Sequence, residues 1–259
     1  MTQDNPDNLT GSIAHATDIL ISIGNDFHAL TDIARECNLG KSTVHRVLKL
    51  LEQAKFVVQD TINRRYYLGP LLTRLTSNPV TTHEYLIMYA SEEMRRLCMV
   101  TEETVTLDIM IGTQSFSLFE VPSKHDLKVS QENQMPGPLL AGASFKVLLS
   151  QISDKQLDMA LESITLQRPT EHSVTDIEIL KKQIKDTRRQ GYTISRGEWI
   201  NGVMCISFPV TNYTLPLSLC VVGPESRLKA HEQEVIEELN KSASRISASI
   251  VHIFEKQAA

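Results

Sequence analysis

Apolar residues recur at helical spacing three times within the first 51 positions. Ile13, Ala16, Ile19, Leu20 and Ile23 predict a helix from Ser12 to Ile23, with Ser12 capping its start and Gly24 at the C′ position. Ile33, Ala34 and Cys37 give a second, short helix with Thr31 as its N-cap. Asn38-Leu39-Gly40 makes a tight turn, Leu39 pointing into the core and Gly40 supplying backbone freedom. Val44, Val47, Leu48 and Leu51 then follow at i, i+3, i+4 and i+7, the stripe of a third helix. Next come two β-prone runs, Phe56–Asp60 and Arg64–Gly69, around Thr61-Ile62-Asn63, which predict a hairpin.

Pro70 and Pro79 bracket a leucine-rich stretch, Leu71 to Leu75, that reads as a linker helix or as a turn. From His83 to Met99 the helical pattern returns in Leu86, Met88, Ala90, Met94 and Leu97. Strand-like runs at Thr104–Ile111 and Ser115–Val121 flank Gly112-Thr113-Gln114. Gly142 opens a helix through Val147-Leu148-Leu149, and a shorter one covers Asp154–Leu161. Ser173 caps a longer helix with Ile177, Leu180 and Ile184 inward, ending at Gly191. Strands at Gly202–Val210 and Leu215–Val222, joined at Thr211-Asn212-Tyr213, precede a final amphipathic helix, Glu232–Phe254. Early and late strands with helices between them predict an α+β domain with one mostly antiparallel sheet. Such a sheet, covered by helices on one side, commonly has a small-molecule pocket on the other.

The third helix carries the first chemical signal. Its outer face holds Lys41, Ser42, Thr43, His45, Arg46 and Lys49, and no acid appears before Glu52. The apolar spacing fits an ordinary helical hairpin as well. The polar face favours a helix-turn-helix, whose second helix enters the DNA major groove. A hairpin directly after a recognition helix is the wing of a winged helix, with Arg64 and Arg65 at its tip, where a wing meets phosphate or the minor groove. Residues 11–69 are thus expected to form a winged helix-turn-helix DNA-binding domain, 70–82 a linker, and 83–259 the α+β domain, which the family resemblance described below implies is effector-binding.

Charge agrees. The 259-residue chain is acidic overall, with a formal net charge of −5, yet residues 41–74 hold seven Lys and Arg against Glu52 and Asp60. The first 40 residues hold only Arg35 against six acids. Cations gathered on one element pair of an acidic chain form a footprint for a polyanion. A hydrophobic content of 41% suffices for real cores, and no apolar run approaches the ~18 residues of a membrane span. Met1 to Thr10 is polar and acidic, unlike a signal peptide, and predicts disorder. Cys37, Cys98, Cys205 and Cys220 are scattered and read as buried thiols of a reducing cytoplasm. The eight histidines show no metal-ligand spacing, so neither metal nor cofactor is expected.

Catalytic motifs fail on their context. Leu39-Gly40-Lys41-Ser42-Thr43 resembles the end of a P-loop, but position 35 is Arg and no strand precedes it. Ser226-Arg227-Leu228-Lys229 matches Ser-x-x-Lys without companion motifs, and Gly-x-Ser-x-Gly is absent.

Over residues 12–255 the chain resembles the IclR family of bacterial transcriptional regulators. The resemblance is carried by Leu30-Thr31-Asp32-Ile33-Ala34, by Leu39 through Leu48, and by Arg65-Tyr66-Tyr67-Leu68-Gly69. In the second half it is carried by Glu103-Thr104-Val105, Arg188 to Tyr192, Asn201-Gly202-Val203 and Val222-Gly223-Pro224, in order. It implies a winged-helix domain, a linker helix and a GAF-like effector domain. It also implies dimers or dimers of dimers on palindromic operators, responding to metabolites that are often carboxylates or aromatic compounds. In this picture Lys41, Ser42, Thr43, His45 and Arg46 read bases or position the recognition helix, while Lys49, Arg64 and Arg65 hold phosphates. His15 stands where family members often have Arg, which removes one phosphate contact.

The resemblance carries effector contacts to Ser195, Val203, Cys205, Cys220 and Val222. Relatives that sense glyoxylate or pyruvate have an acid or hydroxyls at the positions of Ser195, Cys220 and Val222. Cys220 and Val222 would leave a small polar acid short of partners, so a larger, more apolar effector is expected, an aromatic or larger organic acid. At Ala143-Ser144-Phe145-Lys146 a phenyl ring replaces the family's glycine; Phe145 lines the pocket or fills it. Trp199 either covers the pocket mouth or anchors a core. The function expected is a ligand-responsive regulator and not an enzyme. The alternatives are a winged helix fused to a catalytic small-molecule domain, or a winged helix used for protein contacts only.

Overall fold

The computed structural model describes residues 11–130 and 141–257, with side chains to residue 251. The stretch 1–10, for which composition predicts disorder, lies outside the described residues. The chain divides into two compact units between Thr82 and His83.

The first unit begins with α1 (Ser12–Gly24), α2 (Leu30–Glu36) and α3 (Lys41–Gln53). Strands β1 (Val57–Gln59) and β2 (Tyr66–Leu68) then pair antiparallel, with Val57 opposite Leu68. An isolated seven-residue helix such as α2 would not hold in water. It forms because Ile33 and Ala34 join Ile19, Ile23, Val44, Leu48 and Val57 in one buried cluster. All four residues of the predicted α3 stripe are buried, and Leu39 packs half-buried against them.

Several local expectations change. The N-cap of α1 is Gly11 and that of α2 is Ala29, so neither Ser12 nor Thr31 caps. Each sits inside a first turn whose preceding residue already has the extended backbone a cap needs. Ile13 is 80% exposed, because it sits on the outer face of the first turn. Gly24 ends the helix itself, and Asp26 takes the left-handed conformation beyond it. In the turn, Asn38 has the positive φ (51°) while Gly40 is extended at −64°, so asparagine supplies the freedom expected of glycine. The proline-bracketed stretch is helical, as α4 (Pro70–Leu75) with Pro70 in its first turn, followed by α5 (Pro79–Thr82).

The second unit is built on a five-stranded antiparallel sheet. Its elements are α6 (Glu84–Thr101), β3 (Thr104–Ile111), β4 (Gln114–Val121), α7 (Ala143–Ser150), α8 (Asp154–Ser163), α9 (Ile177–Gln190) and β5 (Thr193–Arg196). They continue as β6 (Val203–Val210), β7 (Leu217–Pro224), α10 (Glu225–Leu228) and α11 (Glu232–Gln257). The strand order is β4-β3-β7-β6-β5. Strand β5 went unpredicted.

Side-chain alternation sorts the sheet into two faces. Val105, Leu107 and Ile109 of β3, Met204 and Ile206 of β6, and Leu219 and Val221 of β7 share one apolar cluster with α6 and α11. The intervening residues Thr106, Asp108, Ser207, Ser218 and Cys220 are also buried, but they are polar or sulfur-bearing. That second face therefore holds something other than a plain hydrophobic core. Helices α7, α8 and α9 cover part of it around Met110, Phe145, Leu148 and Ile184.

Here too the boundaries shift. Asp176, not Ser173, caps α9, its Oδ1 accepting from the Glu178 and Ile179 amides at 2.7 and 3.0 Å. Ile177 and Met88 face outward, 40% and 64% exposed. Gly191 ends α9 at φ +84°, as the sequence predicts.

Candidate nucleic-acid interface and effector cavity

On α3, burial of Val44, Val47, Leu48 and Leu51 forces the opposite side outward. Lys41, Ser42, His45, Arg46 and Lys49 are exposed, and Thr43 is half-buried. None of the three cations here forms an ion pair or side-chain hydrogen bond among the described residues, so all are available to a polyanion. The turn after β1 brings Asp60 Oδ1 onto the Ile62 amide at 2.8 Å and Asn63 Oδ1 onto the Arg65 amide at 2.8 Å. Arg64 adopts φ +59°, and both Arg64 and Arg65 are exposed at this tip. His15 is half-buried on α1.

The second site is a small cavity of about 70 Å³ on the polar face of the sheet. The sequence expectation places six residues here, and the structure brings them together: Ser195, Trp199, Val203, Cys205, Cys220 and Val222 all line it. Trp199 is half-buried in that wall. Phe145 does not line the cavity. One turn into α7, it points the other way, 2% exposed among Met110, Leu148 and Leu161. It neither contacts nor fills the pocket.

Sequence reasoning missed the most polar members of the wall, Thr106, Asp108, Ser144 and Glu198. Asp108 sits at a bulge, where the register of β3 on β4 skips Leu118 to place Asp108 opposite Ser117. Its Oδ2 accepts from Ser144 Oγ at 2.6 Å and from Thr106 Oγ1 at 3.4 Å, with Cys220 Sγ at 3.5 Å. Ser144 Oγ is also 2.8 Å from Ser218 Oγ. Burial pushes the Asp108 carboxyl up, and the hydroxyls of Ser144 and Ser117 and the Cys220 thiol offset part of that rise. Among the described residues Asp108 Oδ1 has no hydrogen-bond partner.

Glu198 is held on its other oxygen. Lys146 Nζ donates to Glu198 Oε1 at 2.5 Å, while Glu198 Oε2 is buried without a partner among the described residues. The loop carrying Glu198 is pinned by Thr170 Oγ1 on the Gly197 carbonyl (2.6 Å) and Ser173 Oγ on the Glu198 carbonyl (2.7 Å).

Gly142 opens α7 at φ +91°, a conformation that strains any L side chain, and brings the Ala143 amide to 3.0 Å from Ser195 Oγ. The Cys205 thiol is pushed well above its ordinary range by the neighbouring Cys220 thiol and by burial, so it stays protonated. All four cysteines are free, though Cys37 and Cys205 are half-buried, not fully buried as expected. Among the described residues no metal-binding cluster of His, Cys, Asp and Glu occurs, and no helix is long and apolar enough to cross a membrane.

A helix with an exposed cationic face beside a hairpin, and an α+β unit with a cavity, fit the class of transcriptional regulators. Residues 12–61 match the IclR helix-turn-helix domain and residues 79–248 match the bacterial transcriptional regulator IclR C-terminal domain, and the chain belongs to the IclR family.

It is 26% identical over 249 residues to the HTH-type transcriptional regulator KdgR of Escherichia coli (strain K12), covering 95% of this chain and 94% of that protein. To the HTH-type transcriptional repressor AllR of the same strain it is 26% identical over 202 residues, 77% of this chain and 74% of the repressor. Among solved structures, an IclR-family regulator from Rhodococcus sp. superposes with a TM-score of 0.70 at 24% identity, covering 95% of this chain and 97% of that one. An IclR homolog from Microbacterium hydrocarbonoxydans, solved in complex with 4-hydroxybenzoate, gives 0.57 at 22% identity, with 93% and 100% covered. The relatives are regulators and repressors, and this chain is a transcriptional regulator, not an enzyme.

Proposed function

We propose that the protein binds operator DNA as a dimer or dimer of dimers and releases or rearranges on it when a small metabolite enters the cavity in its second unit. Residues 11–69 would act as the DNA-binding domain, 70–82 as the linker and 83–259 as the effector domain, in the cytoplasm. The observation that carries the reading is the α3 face, where three unpaired cations, two hydroxyls and His45 flank a fully buried stripe. Lys41, Ser42, Thr43, His45 and Arg46 face bases or set the helix in the groove; Lys49, Arg64 and Arg65 hold phosphates.

The sequence expectation for the effector is an aromatic or larger organic acid. The apolar wall formed by Val129, Ile200, Val203, Val222 and Trp199 supports the apolar body of such a molecule. Coupling between effector and operator of this kind is typically ~1–3 kcal/mol.

Fluorescence anisotropy on labelled DNA from upstream of the protein's own gene tests the first half, with scrambled competitor and a salt series. Selective, salt-sensitive binding is expected. Failure there and in a genome-wide selection would overturn the regulator mechanism. The second half is tested by Val222→Trp, which fills the cavity and should abolish any metabolite response while leaving DNA binding intact.

A further inference from the structure

We infer that the cavity seats a hydrogen-bond-donating end of the effector, an amine or a hydroxyl, against Asp108 and Glu198, and does not seat a carboxylate there. This rests on the reading of the cavity as the effector site and specifies the chemistry of its polar end.

Two acids contribute to the wall, and among the described residues each has one buried oxygen without a partner, Asp108 Oδ1 and Glu198 Oε2. Ser117 Oγ, across the strand pair from Asp108, influences the carboxyl but lies outside hydrogen-bond geometry and is itself unpartnered. Buried acceptors in a folded protein are nearly always paired, so two orphans in one wall mark where donors are missing.

Several of the donors already present are engaged. Among the described residues no lysine or arginine lines the cavity, and Lys146, which reaches Glu198, is held by Oε1. At the start of α7, otherwise a natural anion seat, the Ala143 amide already donates to Ser195 Oγ. Ser144 Oγ donates to Asp108 Oδ2.

A carboxylate pushed into this wall would meet the buried Glu198 carboxyl and no lysine or arginine of the lining, so its charge would be buried without a counter-ion. An ammonium or hydroxyl would supply the missing donors. An ammonium would also supply a counter-charge for Asp108, whose carboxyl burial now pushes up. An effector that carries a carboxylate elsewhere on its body still fits, provided the end set against Asp108 and Glu198 donates.

The test is isothermal titration of the full-length protein at pH 7 with benzylamine, benzyl alcohol and benzoate, three probes of one apolar body. Benzylamine or benzyl alcohol should bind at least roughly tenfold tighter than benzoate, and the order of those two separates ammonium from hydroxyl. Asp108→Asn, which replaces an acceptor with a donor, should erase or invert the preference over benzoate. The wild-type ranking stands without any variant, so a poorly folding mutant does not blunt the test. Benzoate binding tightest, no probe binding, or an Asp108→Asn protein with unchanged preference would each overturn the inference. Benzoate binding that disappears in Val222→Trp would overturn the donor inference alone. Binding that survives Val222→Trp would overturn the cavity reading itself.

Discussion

Lys146 Nζ and Glu198 Oε1 lie 2.5 Å apart with only 3% and 10% of their side chains exposed. The pair ties α7 to the loop after β5, the two segments that frame the cavity. A buried pair adds little over well-packed apolar residues, but removing one partner strands a charge. Lys146→Met should therefore destabilise the second unit by about 3–5 kcal/mol, and adding Glu198→Leu should recover most of it. Urea unfolding followed by the fluorescence of Trp199, next to Glu198 in sequence, reads both. A Lys146→Met protein as stable as wild type would show that Glu198 finds another donor.

Asp108 makes stability depend on pH in the direction opposite to most carboxylates. Its carboxyl is raised above the ordinary value near 3.8, chiefly by burial. In that window the folded protein keeps a proton that the unfolded chain releases. Stability then falls as pH rises from about 3.8 to the folded-state value and stays lower above it. Asp108→Asn removes this term. The stability difference, variant minus wild type, should grow in the variant's favour across that window and then level off. Denaturation midpoints of the two proteins between pH 4 and 8 measure it; a pH-independent difference would mean that Asp108 titrates normally.

Phe145→Ala should cost about 3–5 kcal/mol, the usual penalty for emptying a packed core site. The ring is 2% exposed and packs against α8 and α9 through Leu161 and Ile184. Because Phe145 does not line the cavity, probe affinity measured well below the unfolding midpoint should be unchanged. Tighter binding in the variant would mean that the ring reaches the pocket after all.

How far the sequence could be read follows from the range of the forces involved. The α1–α3 stripes, the hairpin, and β3, β4, β6 and β7 were legible because burial of one face imposes a period of 3.6 or 2 on neighbouring residues. Strand β5 was not, since Thr193–Arg196 is a four-residue edge strand too short to show a period. Helix caps slipped by one to three residues because Ser12, Thr31 and Ser173 are good cappers lying near, but not at, the positions with extended backbone. Phe145 was misplaced because its neighbours in sequence, Ala143 and Ser144, do line the cavity, and one residue along a helix turns the side chain by ~100°. Asp108 did leave a sign, an acid inside the strand Thr-Val-Thr-Leu-Asp-Ile-Met-Ile. The Lys146–Glu198 pair left none, since its partners are 52 positions apart and meet only when the sheet forms.

The recognition helix separates two kinds of contact, and salt tells them apart. Arg46 and Lys49 are both exposed on α3, three residues apart and on one side of the helix. Arg46, nearer the N-terminus, is placed for base edges, where a fork of donors discriminates. Arg46→Ala should weaken specific operator binding by about 1–3 kcal/mol and leave binding to scrambled DNA nearly unchanged. Lys49, further along, is placed for phosphate. Lys49→Ala should weaken both DNAs alike and reduce the slope of log K against log salt by about 1. Because burial of Val47 and Leu48 is untouched in either variant, thermal unfolding should match wild type, so a loss of binding can be assigned to the contact itself. If Arg46→Ala instead changed the salt slope and left discrimination intact, the helix would enter the groove at a different depth, and base reading would fall to Lys41, Ser42 and Thr43.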